Sequence, residues 1–252
     1  MNVHPHYYVC CVLLLVACGN KDEPKDRTLT EFCRAWANAA CSAETISACQ
    51  AADAEACRSS QEDACLARVP DNFSDAKGSA CIAAVEKAYA DADLKGDELV
   101  TVLSLGGPCA AIIRGPKAAG ESCTSDRDCD ASAAFTCVRR PDTKAGTCQK
   151  SEVTQAGRSC SAAQKVCETG FFCDGNNCIE AKALGGDCTI AEQCSTGLCG
   201  DAGKCEARRK VASACTADSE CEDGVCYKFE DAKSCTNRII LARSEPLCDE
   251  LR

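Results

Sequence analysis

The sequence predicts a small, disulfide-rich fold of helices and short strands, with a disulfide-linked helical bundle first and four cysteine-rich β-hairpin units after it. Three observations carry that expectation. The chain of 252 residues holds 27 cysteines, a density read as a disulfide scaffold rather than an oil-drop globule. Only 4% of its residues are aromatic, so apolar burial per residue is small. Cross-links that restrict the unfolded chain, each contributing roughly 2 to 4 kcal/mol, must then supply what the core does not. Near residue 115 the pattern also changes, from alanine-rich and helical to short intervals marked by glycine and cysteine.

Residues 1–17 come first. The apolar run from Val9 to Ala17 is far too short to span a bilayer, and an apolar segment ending in small residues has the form of a secretory signal peptide. It closes in Leu15-Val16-Ala17-Cys18-Gly19, which resembles the lipobox of bacterial lipoproteins. That resemblance implies cleavage after Ala17, lipid on Cys18 and a membrane as partner through that lipid. Gly19 stands where Asp holds some enteric lipoproteins at the inner membrane, so the same analogy points to the outer membrane. The segment before the apolar run departs from the pattern, with His4 and His6 but no Lys or Arg. An ordinary signal peptide that leaves Cys18 as a free or paired thiol is the alternative. Cysteine parity bears on the choice: removal of Cys10 and Cys11 leaves an odd number, and lipid on Cys18 leaves 24, the even set that closed pairing requires.

Residues 18–27, polar and charge-rich with one proline, cannot bury enough apolar surface to fold alone and read as a tether. Residues 28–114 form the helical region, with Cys33, Cys41, Cys49, Cys57, Cys65, Cys81 and Cys109. The first five recur every eight residues, a rotation of about 80° per step on a helix. One continuous helix would scatter them around its circumference, so several short helices are expected. Thr30 is a candidate cap for the first, and Ser60 with Asp63 resembles a capping box for another, ended by Pro70. A longer helix is expected from residue 75 to about 93, with Cys81, Val85, Ala88, Tyr89 and Ala92 on its inner stripe, and a further one over 97–105. Trp36 and Tyr89 read as core.

The four units follow at residues 120–148, 157–178, 186–205 and 213–252. Their cysteines are Cys123, Cys129, Cys137 and Cys148; Cys160, Cys167, Cys173 and Cys178; Cys188, Cys194, Cys199 and Cys205; and Cys215, Cys221, Cys226 and Cys235, with Cys248 in the tail. Gly170, Gly197 and Gly224 precede the third cysteine of units two to four, where a turn of positive φ fits; unit one has Ala133 and Ala134 near that place. These repeats resemble the Dickkopf N-terminal cysteine-rich type found in bacterial surface lipoproteins, myxobacterial ones among them, over roughly residues 120–235. The resemblance implies extracellular recognition. Within each four-cysteine set three pairings remain open. The helical region holds seven cysteines and the last unit five, so at least one bridge must cross, and joining the two unmatched ends gives Cys109–Cys248 as the simplest expectation.

The composition excludes much chemistry. Both histidines and the only methionine lie in residues 1–17, so the remainder has no imidazole for a Ser-His-Asp or Cys-His pair or for the common catalytic zinc sites. No C-x-x-C occurs, the spacing that redox sites and zinc ribbons use. Asp126, Asp128 and Asp130, and Glu220, Glu222 and Asp223, are acidic clusters, but neither has the turn glycine and terminal Glu of an EF-hand loop. A net charge of −10 disfavours nucleic acid as a partner, and the basic runs Arg139-Arg140 and Arg208-Arg209-Lys210 read as solvated linker charge. A carboxylate-based hydrolase would need a deep acidic cleft. The expectation is therefore a non-enzymatic, lipid-anchored envelope protein without catalytic residues, metal or cofactor, contacting an extracellular protein or glycan. A structural spacer is the alternative.

Overall fold

A computed structural model describes residues 26–139, 145–229 and 232–252. The signal segment, Cys18 and most of the tether lie outside the described residues, as does Arg140.

The helical region opens with α1 (Leu29–Ala40). Its cap is Thr28 rather than Thr30: the Thr28 hydroxyl accepts from the Glu31 N–H while the Glu31 carboxylate accepts from the Thr28 N–H at 2.8 Å. Only the earlier threonine has a glutamate three residues on, and that reciprocity sets the start. Ser42 caps α2 (Ala43–Cys49), which Gln50 ends in a left-handed conformation. Asp53 caps α3 (Ala54–Arg68) by accepting from both Glu55 and Ala56. The expected start at Ser60 and Asp63 therefore falls inside α3, because an aspartate with two backbone donors already begins the helix upstream.

The longer helix is shorter than its pattern. A tight 3-10 turn over Asp75–Lys77 precedes α4 (Gly78–Ala88), and residues 93–95 form strand β1 (Asp93–Lys95) instead of the last helical turn. The cause is tertiary, since β1 pairs antiparallel with Arg238–Ile240 from the far end of the chain. Helix α5 (Asp97–Ser104) follows and ends on a left-handed Leu105.

Twelve disulfides join all 24 cysteines from Cys33 onward. Cys33–Cys65 and Cys41–Cys57 both bind α1 and its C-cap to α3. The expected Cys109–Cys248 bridge does not form. Cys109 sits in the 3-10 segment Gly107–Ile112 that returns against α4, so it closes a short loop with Cys81. Cys49, at the end of α2, is the residue that reaches Cys248.

The core shows why the tail returns. Phe32, Trp36, Tyr89, Leu94, Leu99 and Ile112 are fully buried, and Val225, Ile239, Leu241, Leu247 and Leu251 belong to the same cluster. Most polar groups inside are matched, the Tyr89 hydroxyl excepted: Trp36 Nε1 donates to Gln61 Oε1 at 3.2 Å, Gln61 Nε2 donates to the Glu250 carbonyl at 2.7 Å, and the Ser42 and Thr45 hydroxyls donate to the Tyr89 carbonyl. Such satisfaction is what burial of polar atoms demands.

Between Arg114 and Arg238 the chain makes an excursion of small sheets. The strands are β2 (Ser122–Cys123), β3 (Thr136–Val138), β4 (Gly146–Gln149), β5 (Glu152–Thr154), β6 (Lys165–Cys167), β7 (Phe171–Cys173), β8 (Cys178–Glu180), β9 (Val225–Phe229), β10 (Ala232–Thr236) and β11 (Arg238–Ile240). In each four-cysteine set the first bonds the third and the second bonds the fourth. The third and fourth lie opposite each other: Cys137 faces Cys148, Cys173 faces Cys178, Cys199 faces Cys205 and Cys226 faces Cys235. The third set has only an isolated bridge there, without a strand pair.

A second repeated contact precedes each set. Lys117, Thr154, Lys182 and Arg209 pair in parallel with the second cysteine. A turn follows in which Gly120, Gly157, Gly185 or Ala212 takes positive φ and donates its N–H to the carbonyl of the fourth cysteine at 2.8 to 2.9 Å. Gly185, not the Gly186 aligned by sequence, is the equivalent residue in the third set, and Ala212 adopts the strained conformation without being glycine. Before the third cysteine, Gly170, Gly197 and Gly224 have positive φ, and Ala134 takes their place in the first set at φ 59°.

Arg209 and Lys210 are exposed, in keeping with solvated charge, but three arginines of the basic runs also make specific contacts. Arg139 pairs with Glu192 at 2.6 Å and Arg209 with Glu220 at 2.9 Å, while the Arg208 guanidinium lies over Gly197. These three guanidiniums find an acceptor or a bare backbone in one of the sets, which a reading of sequence neighbours alone does not show.

Candidate functional site

Each four-cysteine set brings three sulfurs within 4.8 Å of one another, as in Cys123, Cys129 and Cys148. Thiolates so placed would be metal ligands, but every one of these sulfurs is bonded in a disulfide. They form the centres of the four small cores.

Four carboxylates of the acidic clusters, Asp126, Asp128, Asp130 and Glu220, are likewise occupied locally. Asp126 accepts from the Cys137 N–H at 2.8 Å, Asp128 from the Thr124 N–H at 2.7 Å, and Asp130 from the Ser132 and Ala133 N–H groups. The Thr124 N–H beside Asp128 holds its carboxyl below the usual carboxylate range. Glu220 is also held low, first by the Thr216 hydroxyl and further by Arg209. These carboxylates cap turns, and that role explains their spacing.

A group of adjoining depressions lies along the seam between the helices and the repeats, around Arg127. This residue sits in the 3-10 turn Asp126–Asp128, which a Ser125 capping box holds in place, and its Nη2 donates to the Ser104 carbonyl at 2.5 Å. Arg68, at the end of α3, donates to the Val102 carbonyl at 3.1 Å and pairs with Glu250 at 2.5 Å. From the other side, Ser104 donates to Asp218 of the fourth set at 2.5 Å.

Three depressions share Arg127. One of about 450 Å³ is polar, with Arg68, Ser104, Asp218, Tyr227 and Glu250. One of about 260 Å³ is lined by Arg68, Pro70, Asn72, Leu105, Ile113 and Arg127, with no carboxylate. One of about 170 Å³ is mostly apolar, with Leu105, Ala110, Ile113, Ala131 and Phe135, and with Asp126 at its wall. The seam thus offers an end with two guanidiniums, of which Arg68 is paired with Glu250 and Arg127 makes no ion pair among the described residues, and an apolar end over a common floor of Leu105 and Ile113. Burial pushes the Tyr227 hydroxyl and the Glu245 carboxyl upward, and the two are joined by a hydrogen bond of 3.2 Å.

A separate cavity of about 310 Å³ lies between the first three sets and includes Arg139, Lys165, Phe171, Phe172, Ile190 and Glu192. Cys18 lies outside the described residues. The seam arginines carried no sequence signal: Arg127 stands between two aspartates, and Arg68 ends an ordinary amphipathic helix.

No family model, no curated protein and no solved structure matches this chain. Among the described residues no helix is long and apolar enough to cross a membrane.

Proposed function

We propose that this chain is an exported lipoprotein, held in the cell envelope by lipid on Cys18, which displays a disulfide-built recognition surface to an extracellular protein or glycan without catalytic turnover. The observation that supports it most is the complete pairing of the 24 cysteines from Cys33 onward. With residues 1–17 removed it leaves Cys18, in its lipobox-like context, as the one cysteine outside the scaffold, and so many disulfides are typical of an oxidising compartment.

On this reading the architecture is a disulfide-linked helical bundle followed by four Dickkopf-like hairpin units, set off the outer membrane by residues 18–27. Recognition falls to the seam around Arg127. The three carboxylates there among the described residues, Asp126, Asp218 and Glu250, are engaged by the Cys137 N–H, Ser104 and Arg68, an arrangement that favours binding over general acid–base work.

A spacer without ligand is the second reading. It is favoured by the scatter of the exposed large apolar residues Leu66, Val153, Ile179, Leu184, Val211 and Ile240 over separate elements, where a docking face would gather them.

Detergent phase partitioning of cells expressing the full chain tests the anchor. The wild type is expected in the detergent phase, and Cys18→Ser in the aqueous phase of the exported fraction. A Cys18→Ser chain that still partitions with detergent overturns the lipid-anchor reading.

A further inference from the structure

We infer that the seam between the helices and the first repeat binds an acidic peptide segment, taking a carboxylate side chain between Arg68 and Arg127 and an adjacent apolar side chain on Leu105, Ile113 and Phe135. This rests on the recognition reading above and names the ligand class for that site.

Charge is the first ground. In a chain of net charge −10, the 260 Å³ depression has two guanidinium groups in its wall and no carboxylate. Arg127 makes no ion pair among the described residues, and its one hydrogen bond goes to a main-chain carbonyl. That bond orients the guanidinium without neutralising it, so its remaining donors face a space that an anion fits. A planar fork of donors favours carboxylate geometrically. Glu250 and the Val102 carbonyl hold Arg68 in place, which lowers the entropy lost when a ligand is bound.

The floor decides between peptide and sugar. Leu105 and Ile113 are buried beneath both the cationic and the apolar depressions, and Phe135, Ala110 and Ala131 extend the apolar end. An apolar side chain loses nothing there, whereas most hydroxyls of a sugar would lack partners, since Asp126 is the one carboxylate in that wall among the described residues. The Asp126 carboxylate at that end accepts from the Cys137 N–H, and it disfavours a second acidic residue. The fitting segment therefore has one acidic residue beside one aromatic or branched apolar residue.

Titration of the folded, fully oxidised chain with N-acetyl-Asp-Phe-amide, followed by calorimetry and by NMR of the Leu105 and Ile113 methyl groups, tests the assignment. Saturable binding is expected, at least about tenfold weaker for N-acetyl-Asn-Phe-amide, a difference within the range of a charge-assisted pair. Arg127→Gln should abolish the preference for Asp over Asn while the methyl spectrum stays dispersed, and Lys165→Gln, in the other cavity, should leave it intact. Equal affinity for the two peptides, no saturation up to about 10 mM, or an Asp preference that survives Arg127→Gln overturns the proposal. So does glucuronate or inorganic sulfate binding as tightly as the peptide. Failure of peptide binding with Cys18-dependent detergent partitioning intact would reject the seam assignment alone and leave the lipid anchor standing.

Discussion

Cys49 and Cys248, 199 residues apart, are joined by a disulfide inside the helical core. With β1 paired to β11 and Leu247 and Leu251 packed beside it, this bridge turns the repeats into a closed excursion that leaves and rejoins one core. The seam around Arg127 exists because of that closure, since its walls come from α3, α5, the first set and the fourth.

Replacing both Cys49 and Cys248 by serine should lower stability by about 2 to 4 kcal/mol through the freed unfolded chain. The loss should concentrate at the closure. Hydrogen exchange is the measurement: the amides of Leu94 and Ile239 should lose protection, while those near Cys173 and Cys178, whose set has its own bridges, should keep theirs. Uniform loss of protection would show that the repeats depend on the core.

Ala212 and Ala134 occupy left-handed backbone at φ 68° and 59°, where a Cβ is strained and the equivalent residues in the other sets are glycine. Ala212→Gly and Ala134→Gly should each stabilise the protein by about 1 kcal/mol. At Gly224 the sign reverses, because φ is 82° and an added Cβ would collide with the Thr236 carbonyl. Shifts in the urea midpoint check all three.

Tyr89 is fully buried, and its hydroxyl has no hydrogen-bond partner among the described residues. Burial pushes that hydroxyl's pKa far up, so it stays neutral at every accessible pH. Tyr89→Phe removes an unmatched polar atom without changing the ring's packing and should leave stability equal or raise it by up to about 1 kcal/mol. A loss of more than about 1 kcal/mol in a thermal melt would mean that the hydroxyl is satisfied.

Arg238 grips Asp93 through two hydrogen bonds of 2.7 and 2.8 Å across the β1–β11 pair, holding the carboxyl below its ordinary range. A depressed folded-state pKa contributes stability that is fully present above the unfolded value and lost as pH falls through the folded one. Acidification below about pH 4 should therefore loosen the tail, and Asp93→Asn should flatten that part of the stability profile. Amide exchange at Ile239 as a function of pH reads it directly.

The cysteine count and the change of spacing near residue 115 made the disulfide-rich mixed class legible, and parity correctly required a bridge across regions. The partner was not legible. Six of the seven helical cysteines are buried and Cys41 packs against the same core, so only the three-dimensional path decides that Cys109 meets Cys81 and that Cys49 meets the tail. Likewise, β1 is only three residues long, too short for its Asp-Leu-Lys alternation to announce a strand, and it becomes one because Arg238–Ile240 lies against it. Spacing within a set does not encode the first-to-third, second-to-fourth pairing, which follows from the third and fourth cysteines facing each other across the chain's return. The seam had no local signature because each of its walls is ordinary in its own neighbourhood.

Intact mass of the native protein, before and after reduction and alkylation, tests the central claim most directly. A chain beginning at Cys18 with the added mass of two or three acyl chains, and 24 cysteines that alkylate only after reduction, is the predicted result. Alkylation of the native protein, or a Cys18 without lipid, would contradict it.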